Sequence, residues 1–390
     1  MKLSVSSNSP SFFVRTLPFI LFFLSSFTLH TLVEPSAISG SRPSVDSVVT
    51  IRLGFVGDLM CHQPLYESAR VKADSFDFEP MFSFIKEYLS KPDLMIGNLE
   101  TVCAGKEKTY SGYPRFNTPD GYIPALKNAS FDFLVTSNNH SMDRGEYGVL
   151  RTLEKIRANG LSSTGTFSDQ RDRDSIRFEE TKGIKTAILN YTYGTNGIAL
   201  PKGKGYLVNL IDTILIAKDI DSALAAQPDL LIVMYHFGSE YKREPDSFQK
   251  RIVDFTIRSG ADIIIGSHPH VIQRMERYVT NNGRTDTGFV AYSLGNFLSN
   301  QRWRYSDAGV IINLTVEKNN NSGGIRITEI DPVPTWVYSG NYDGKRQYYI
   351  LPATDMPDTL GYPFLSGKEV EEIRQAYQDT REILFSQGKK

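Results

Sequence analysis

Apolar and polar positions alternate along this chain in short blocks, and the blocks change period from strand-like to helix-like and back. "VVTIRLGFVGD" (48–58) is β-branched and apolar, closes in Gly-Asp, and predicts a buried strand. "EPMFSFIKEYLS" (79–90) has helical spacing and precedes a short apolar strand, "PDLMIGNLE" (92–100). "TPDGYIPALKNAS" (118–130) predicts a helix and "FDFLVTSNNH" (131–140) a third strand. "RGEYGVLRTLEKIRANG" (144–160) predicts a helix with Leu150, Leu153 and Ile156 on one face, stopped by Gly160. "IRFEETKGIKTAILNYTY" (176–193) reads as a hairpin turning at Lys182-Gly183. A helix over 213–227, a strand over 228–238, a helix over 245–260 between proline and glycine, and a strand over 261–268 follow. Then come "GFVAYSLGNF" and "GVIINLTV", which the turn "EKNNNSGG" separates from "GIRITEIDPVPTWV". Residues 368–387 form a last helical pattern with a charged face of the kind that is usually solvated. Strand–helix alternation early and strands late argue for α/β layers with at least one mixed sheet.

The first stretch differs from this pattern. Lys2 and Arg15 precede "LPFILFFLSSFTLHTLV", and the polar "EPSAISGSRPSVDS" follows, which together read as an export signal. Ser36, Ala37 and Ser39 suit a signal peptidase; an uncleaved anchor is the alternative, weakened by Pro18 and His30. Neither cysteine lies in this stretch, which excludes a lipoprotein anchor. The chain therefore divides into a signal or anchor with linker (1–47), a main domain (48–340) and a C-terminal extension with a helix (341–390). With 40% hydrophobic and 22% charged residues a large core is available. The net charge of -1 gives no field to attract nucleic acid.

Five of the six histidines fall just after a predicted strand: His62, His140, His236, His268 and His270. Asp58 closes the first strand, Glu100 the second, and Glu240 follows His236. In open α/β sheets the loops beyond the strand carboxyl ends form the ligand crevice, so these addresses should converge. Imidazole with carboxylate suits Zn, Mn or Fe, and a carboxylate on a middle strand can bridge two ions. The paired histidines of "GSHPHV" (266–271) can then point to different ions, with Pro269 stiffening the turn. A hydrogen-bonded turn without metal is the plainer reading.

The same ordered set resembles the calcineurin-like metallophosphoesterases. "GDLM", "GNLET", "SNNHSMDRGEYG", "HFGSEY", "GSHPHV" and "SLGNF" more closely resemble the CapA family of bacterial capsule (poly-γ-glutamate) synthesis proteins, over roughly residues 50–340. The resemblance implies a four-layer sandwich of two mixed β-sheets flanked by helices, and an exported or outward-facing membrane-anchored location. It implies one or two divalent ions. Asp58 matches the first aspartate, Glu100 the bridging carboxylate, Asn139, His236 and His268 the second ion's ligands, and His270 a ligand of the first. His140 matches the histidine that stabilises the transition state or protonates the leaving group, with Asp143 orienting it. Asn98, Glu240 and Asn296 are pocket residues without a role. Two departures matter. Met60 stands where the phosphoesterases have a metal-binding histidine, which thins the first site unless His62 swings in, and Glu100 replaces an aspartate.

Three functions follow. One is an exported, phosphoesterase-like metal-dependent hydrolase in capsule, poly-γ-glutamate or cell-surface polymer biosynthesis. Another is a non-catalytic accessory subunit that binds the polymer, and the third a hydrolase or ligase of γ-glutamyl amides. The expected partners are an anionic cell-surface polymer or its precursor and membrane-bound capsule synthesis subunits, and not nucleic acid. Cys61 and Cys103 each lie three residues past a proposed ligand. They are expected as a disulfide between the two ligand loops, as two unrelated buried thiols or, fitting an oxygen-rich site less well, as thiolate ligands.

Overall fold

A computed structural model describes residues 48–357 and 360–385; the expected export segment and linker lie outside the described residues. Strand β1 (Val48–Leu59) leads through helix α1 (Gln63–Ser68) and a small hairpin, β2 (Arg70–Lys72) with β3 (Ser75–Phe76), to α2 (Lys86–Leu89) and β4 (Leu94–Leu99). α3 (Tyr122–Asn128), β5 (Phe133–Val135), α4 (Gly145–Ala158) and β6 (Ser162–Thr164) continue the alternation. After α5 (Gln170–Asp174) come β7 (Arg177–Thr181), β8 (Ile184–Thr192), α6 (Thr213–Ala225), β9 (Leu230–His236), α7 (Ser247–Arg258) and β10 (Ile263–Ser267). The rest is mostly strand: β11 (Met275–Val279), β12 (Thr287–Ala291), β13 (Asn296–Leu298), β14 (Ala308–Asn319), β15 (Ile325–Tyr342) and β16 (Lys345–Pro352), closed by α8 (Gly367–Phe385).

These strands form two mixed sheets. The first has the order β16-β15-β14-β1-β4-β5-β6, with β13 also paired to β1. Within it β1, β4, β5 and β6 run parallel, and β14, β15 and β16 are added antiparallel. The second has the order β11-β12-β10-β9-β8-β7, parallel in its middle and antiparallel at both edges. Side chains leave a strand on alternating faces, so each central strand feeds two cores. From β1, Ile51, Leu53 and Phe55 meet Leu230, Ile232 and Met234 of β9 between the sheets. Val56 and Leu59 point outward to a core with Leu65, Ile123, Leu126 and Ile156 of the helices. On the other side Leu231 and Val233 pack with Ile216, Ile220, Ile252 and Val253 of α6 and α7. Helices, sheet, sheet, helices: the expected four-layer α/β sandwich is what the chain forms.

Local chemistry accounts for most boundaries. The hairpin turns at Lys182 (φ 49°) and Gly183 (φ 79°), the two left-handed residues that a two-residue turn between twisted strands requires. α7 begins at a reciprocal cap, Asp246 accepting from the Gln249 amide while Gln249 accepts from that of Asp246. Four expectations differ. Residues 79–90 make one turn of 3-10 helix (Glu79–Phe82) and the four-residue α2 instead of one helix. Phe84 between them turns to Tyr349, Tyr362 and Phe364, whereas Phe82 and Ile85 face the outer core. In α4 the buried face is Val149, Thr152, Leu153 and Ile156, and Leu150 is exposed, lying about 100° round the helix from Val149. The boundary expected at residue 340 falls inside β15, so the C-terminal part is woven into the first sheet. Its helix α8 is not merely solvated: Ile373, Ala376 and Ile383 are buried.

Candidate metal centre

The carboxyl ends of parallel β1, β4 and β5 in one sheet and of β9 and β10 in the other meet at one edge of the sandwich. Their convergence needs close backbone approach. A Cβ on Gly57 would stand 2.0 Å from the Gly295 carbonyl oxygen, and one on Gly266 would stand 2.0 Å from that of Tyr292. With hydrogen in those places the Asp58 amide donates to Gly295 O at 3.0 Å, joining β1 to β13 beside the site. Past β5, side chains replace strand pairing: Ser141 Oγ accepts from the Asn138 amide at 2.9 Å, and Asn138 Nδ2 donates to Leu99 O of β4 at 2.8 Å. That turn presents Asn139 and His140. His268 (φ 98°) and His270 (φ 58°) both hold left-handed backbone around Pro269, a strain of about 1–3 kcal/mol each by general experience. Strain of this kind persists where the surroundings fix it.

The first sheet supplies carboxylates and the second supplies imidazoles. Asp58, Glu100, His270 form one group whose ligand atoms lie within 4.8 Å of one another, and Glu100, His236, His268 form a second. Glu100 belongs to both. His270 Nδ1 lies 3.0 Å from Asp58 Oδ2 and 3.1 Å from Asn296 Oδ1. Its other ring nitrogen, Nε2, lies 3.9 Å from Glu100 Oε1. His236 Nε2 is 2.9 Å from Asn139 Oδ1 and 3.5 Å from Glu100 Oε1. A proton on that nitrogen satisfies one of these oxygens at a time, whereas a cation between them satisfies all three. Asn98 Nδ2 donates to Asp58 Oδ1 at 2.8 Å and lies 3.2 Å from His236 Nδ1, tying the sheets together under the site.

The donors fit divalent ions. Both oxygens of Glu100 are buried without a hydrogen-bond partner, as is Nδ1 of His268. Burial, and then the neighbouring Asp58, push the Glu100 carboxyl well above the usual carboxylate range. Burial and the adjacent imidazoles hold His236 well below its ordinary value and His268 at about 3. Neutral imidazoles facing an unpaired buried carboxylate form a lone-pair cage that lacks only positive charge.

His140 stands beside this cage with its Nδ1 2.7 Å from Asp143 Oδ2, which also accepts from the Phe116 amide at 2.6 Å. The Phe116 ring packs edge-on against the imidazole at 4.6 Å. His62 is placed differently from the other histidines. Its Nδ1 takes the Asn300 amide at 3.3 Å, its ring stands edge-on to Phe116, and it joins none of the ligand groups. Met60 is buried, and His62 does not stand in for it. Asn296 gains a role as the second acceptor on His270. The expected staple is absent: Cys61 and Cys103 are free, and both are buried in the outer core. Burial pushes the Cys61 thiol up to about 12, and raises Cys103 as well.

Aromatic residues that sequence reasoning passed over ring the mouth. Tyr113 lies 6.4 Å from His140, Tyr193 4.6 Å from His268 and Tyr241 5.9 Å from His270, all three exposed. Trp303 stands 5.1 Å from Tyr241. Tyr193 follows directly on β8, as the site histidines follow their strands, and that position was the available signal.

The family model described as the bacterial capsule synthesis protein PGA_cap matches residues 52–301, more than half of the chain. The chain belongs to this family. The matched span includes every candidate ligand from Asp58 to His270. The capsule biosynthesis protein CapA of Bacillus anthracis is 26% identical over 334 residues, covering 83% of this chain and 76% of that one. The PGA biosynthesis protein CapA of Bacillus subtilis is 28% identical over 283 residues, covering 71% and 70%. Among solved structures, a calcineurin-like phosphoesterase from Bacillus subtilis aligns over 86% of this chain and 99% of its own, at 16% identity and a TM-score of 0.43. The family's sequence blocks and the two converging sheets thus coincide at one edge of the fold.

Proposed function

We propose that this protein is a metal-dependent hydrolase of phosphoester-type bonds, working outside the cytoplasm in the biosynthesis of a capsule or poly-γ-glutamate-like surface polymer. The observation that carries this reading is Glu100, a buried carboxylate without donors set between His270 on one side and His236 and His268 on the other. Export rests on the N-terminal apolar segment, and the polymer on family membership and on the names of the Bacillus relatives. Asp58, Glu100, Asn139, His236, His268 and His270 would hold one or two ions of the Mn, Zn or Fe type. Divalent ions held there would act as Lewis acids towards the negative charge that develops on a phosphoryl oxygen.

The chain's own residues do the rest. Asp143 accepts the Nδ1 proton of His140 and thereby fixes the tautomer, so that Nε2 faces its reaction partner. In the protonated form that nitrogen delivers a proton to a leaving oxygen, and the Asp143 carboxylate stabilises the imidazolium. Phe116 and Tyr113 pack on the ring and limit water around it. The exposed tyrosines give an extended substrate broad, rigid surface to lie on.

A second reading, a polymer-binding subunit without turnover, is favoured by one feature. The Asp58 half of the centre has three inward donors, and Met60 adds only a thioether. Metal analysis of the purified protein, with assays on chromogenic phosphodiesters and on γ-glutamyl polymer, separates the two readings. The hydrolase reading expects bound metal and phosphodiester cleavage, loss of metal in His268→Ala, and in His140→Ala full metal with turnover down by about 10²–10⁴-fold. Full metal occupancy with no cleavage by the wild type would establish the binding subunit instead.

A further inference from the structure

We propose that Glu240 is a ligand of the metal centre, reaching it from the solvent side where His268 of one half and His270 of the other come together. The inference rests on the metal-binding reading above. The two halves of the centre are unequal. Around His236 and His268 the chain offers Glu100, two imidazoles and the Asn139 amide oxygen. Around His270 it offers Asp58, Glu100 and one imidazole. Asp58 Oδ1 is already engaged by Asn98, and Met60, two residues further along β1, is a thioether that suits hard ions poorly. The Asp58 half is one donor short.

Glu240 is the carboxylate in reach. One of its oxygens, one nitrogen of His268 and one of His270 lie within 4.8 Å of one another. The backbone holds it there. Gly238 (φ 99°) turns the chain after β9, and the amide of Tyr241 donates to Pro269 O at 2.8 Å, pinning the Glu240 loop onto the histidine turn. Glu240 is exposed and makes no hydrogen bond or ion pair among the described residues. Nothing there explains why a carboxylate faces two imidazoles. An independent observation points the same way: Nδ1 of His268 is buried without a partner. A carboxylate oxygen is a hard donor, and its charge offsets part of the excess positive charge that two divalent ions would leave against Asp58 and Glu100 alone. Glu240 is also the one exposed member of the ligand groups, so it is the ligand that an incoming anion meets first.

The test is Mn²⁺ binding to the full protein stripped with chelator, followed by calorimetry and by electron paramagnetic resonance. The wild type is expected to take two ions. Glu240→Gln, which keeps length and shape, should bind one ion as before and the other about 10- to 100-fold more weakly, the scale of losing one supporting group. Its thermal unfolding in chelator should match the wild type, because the residue is exposed and unpaired. Two ions held at wild-type affinity by Glu240→Gln would overturn the proposal and leave the metal reading standing. A wild type that takes only one ion also overturns it. A wild type that takes none removes the metal reading itself.

Discussion

Glu100 shows how far a single residue can carry the account. A fully buried carboxylate without donors is a cost to the metal-free fold, and a fold keeps such a group where something else repays it. In chelator, Glu100→Gln should therefore stabilise the protein, by about 1–3 kcal/mol on the general scale for an unsatisfied buried group, while abolishing metal uptake. The pH dependence has a definite sign. The folded carboxyl is raised, so the stability it contributes is complete below its unfolded value of about 4.3 and is lost as pH rises through the folded value. The advantage of glutamine should be absent near pH 4 and appear towards neutral pH. Thermal melts in chelator across pH check this, and a variant less stable than wild type at pH 7 would mean that Glu100 is a structural group. Residue identity was the most legible part of the sequence, because Asp58, Glu100, Asn139, His236, His268 and His270 each lie at or just past the carboxyl end of a strand. Glu240 was visible but roleless, since its relation to His268 depends on a turn around Gly238 that spacing does not reveal. His62 looked equivalent to its neighbours and differs only through the Asn300 amide that occupies it.

Among the elements, α8 does what its charge pattern did not suggest. Asp379 sits on it, buried, and its carboxylate takes Arg304 through two hydrogen bonds of 2.7 and 2.9 Å. Its carbonyl takes Arg243 at 2.7 Å. Arg243 belongs to the Glu240 loop and Arg304 to the loop of Trp303, so one helical residue fastens two loops at the mouth of the site. Asp379→Ala should cost stability within the usual range of about 0.5–3 kcal/mol. It should also speed hydrogen exchange in residues 299–306, which lose the carboxylate, more than in 240–246, whose Arg243 contact is to the backbone carbonyl that alanine keeps, while the metal ligands stay intact. Exchange unchanged in 299–306 would show that α8 packs independently of that loop. Strand period, glycine and proline stops made most elements legible, and the 182–183 turn was readable from Lys-Gly alone. The broken helix over 79–90 was not, because Phe84 answers to aromatic residues more than 260 positions further along the chain. A charged helix face says nothing about which carboxylate on it will be buried.

At the scale of the molecule, the site exists because two sheets end at the same edge. The first sheet brings Asp58, Glu100 and Asn139, and the second brings His236, His268 and His270, so neither half of the chain holds the centre alone. The order of the strands implied this convergence. Which sheet each strand joins was not legible, because β13 leaves the run of the second sheet to pair with β1 and carries Asn296 to His270. The central claim is that Glu100 lies between two ions. Anomalous diffraction from a Mn²⁺-soaked crystal tests it most directly. The account predicts two peaks about 3.5–4 Å apart, the spacing usual for paired sites. One should lie by Asp58 and His270 and the other by His236 and His268, with Glu100 touching both. No peak in this pocket, or a single peak, would contradict it.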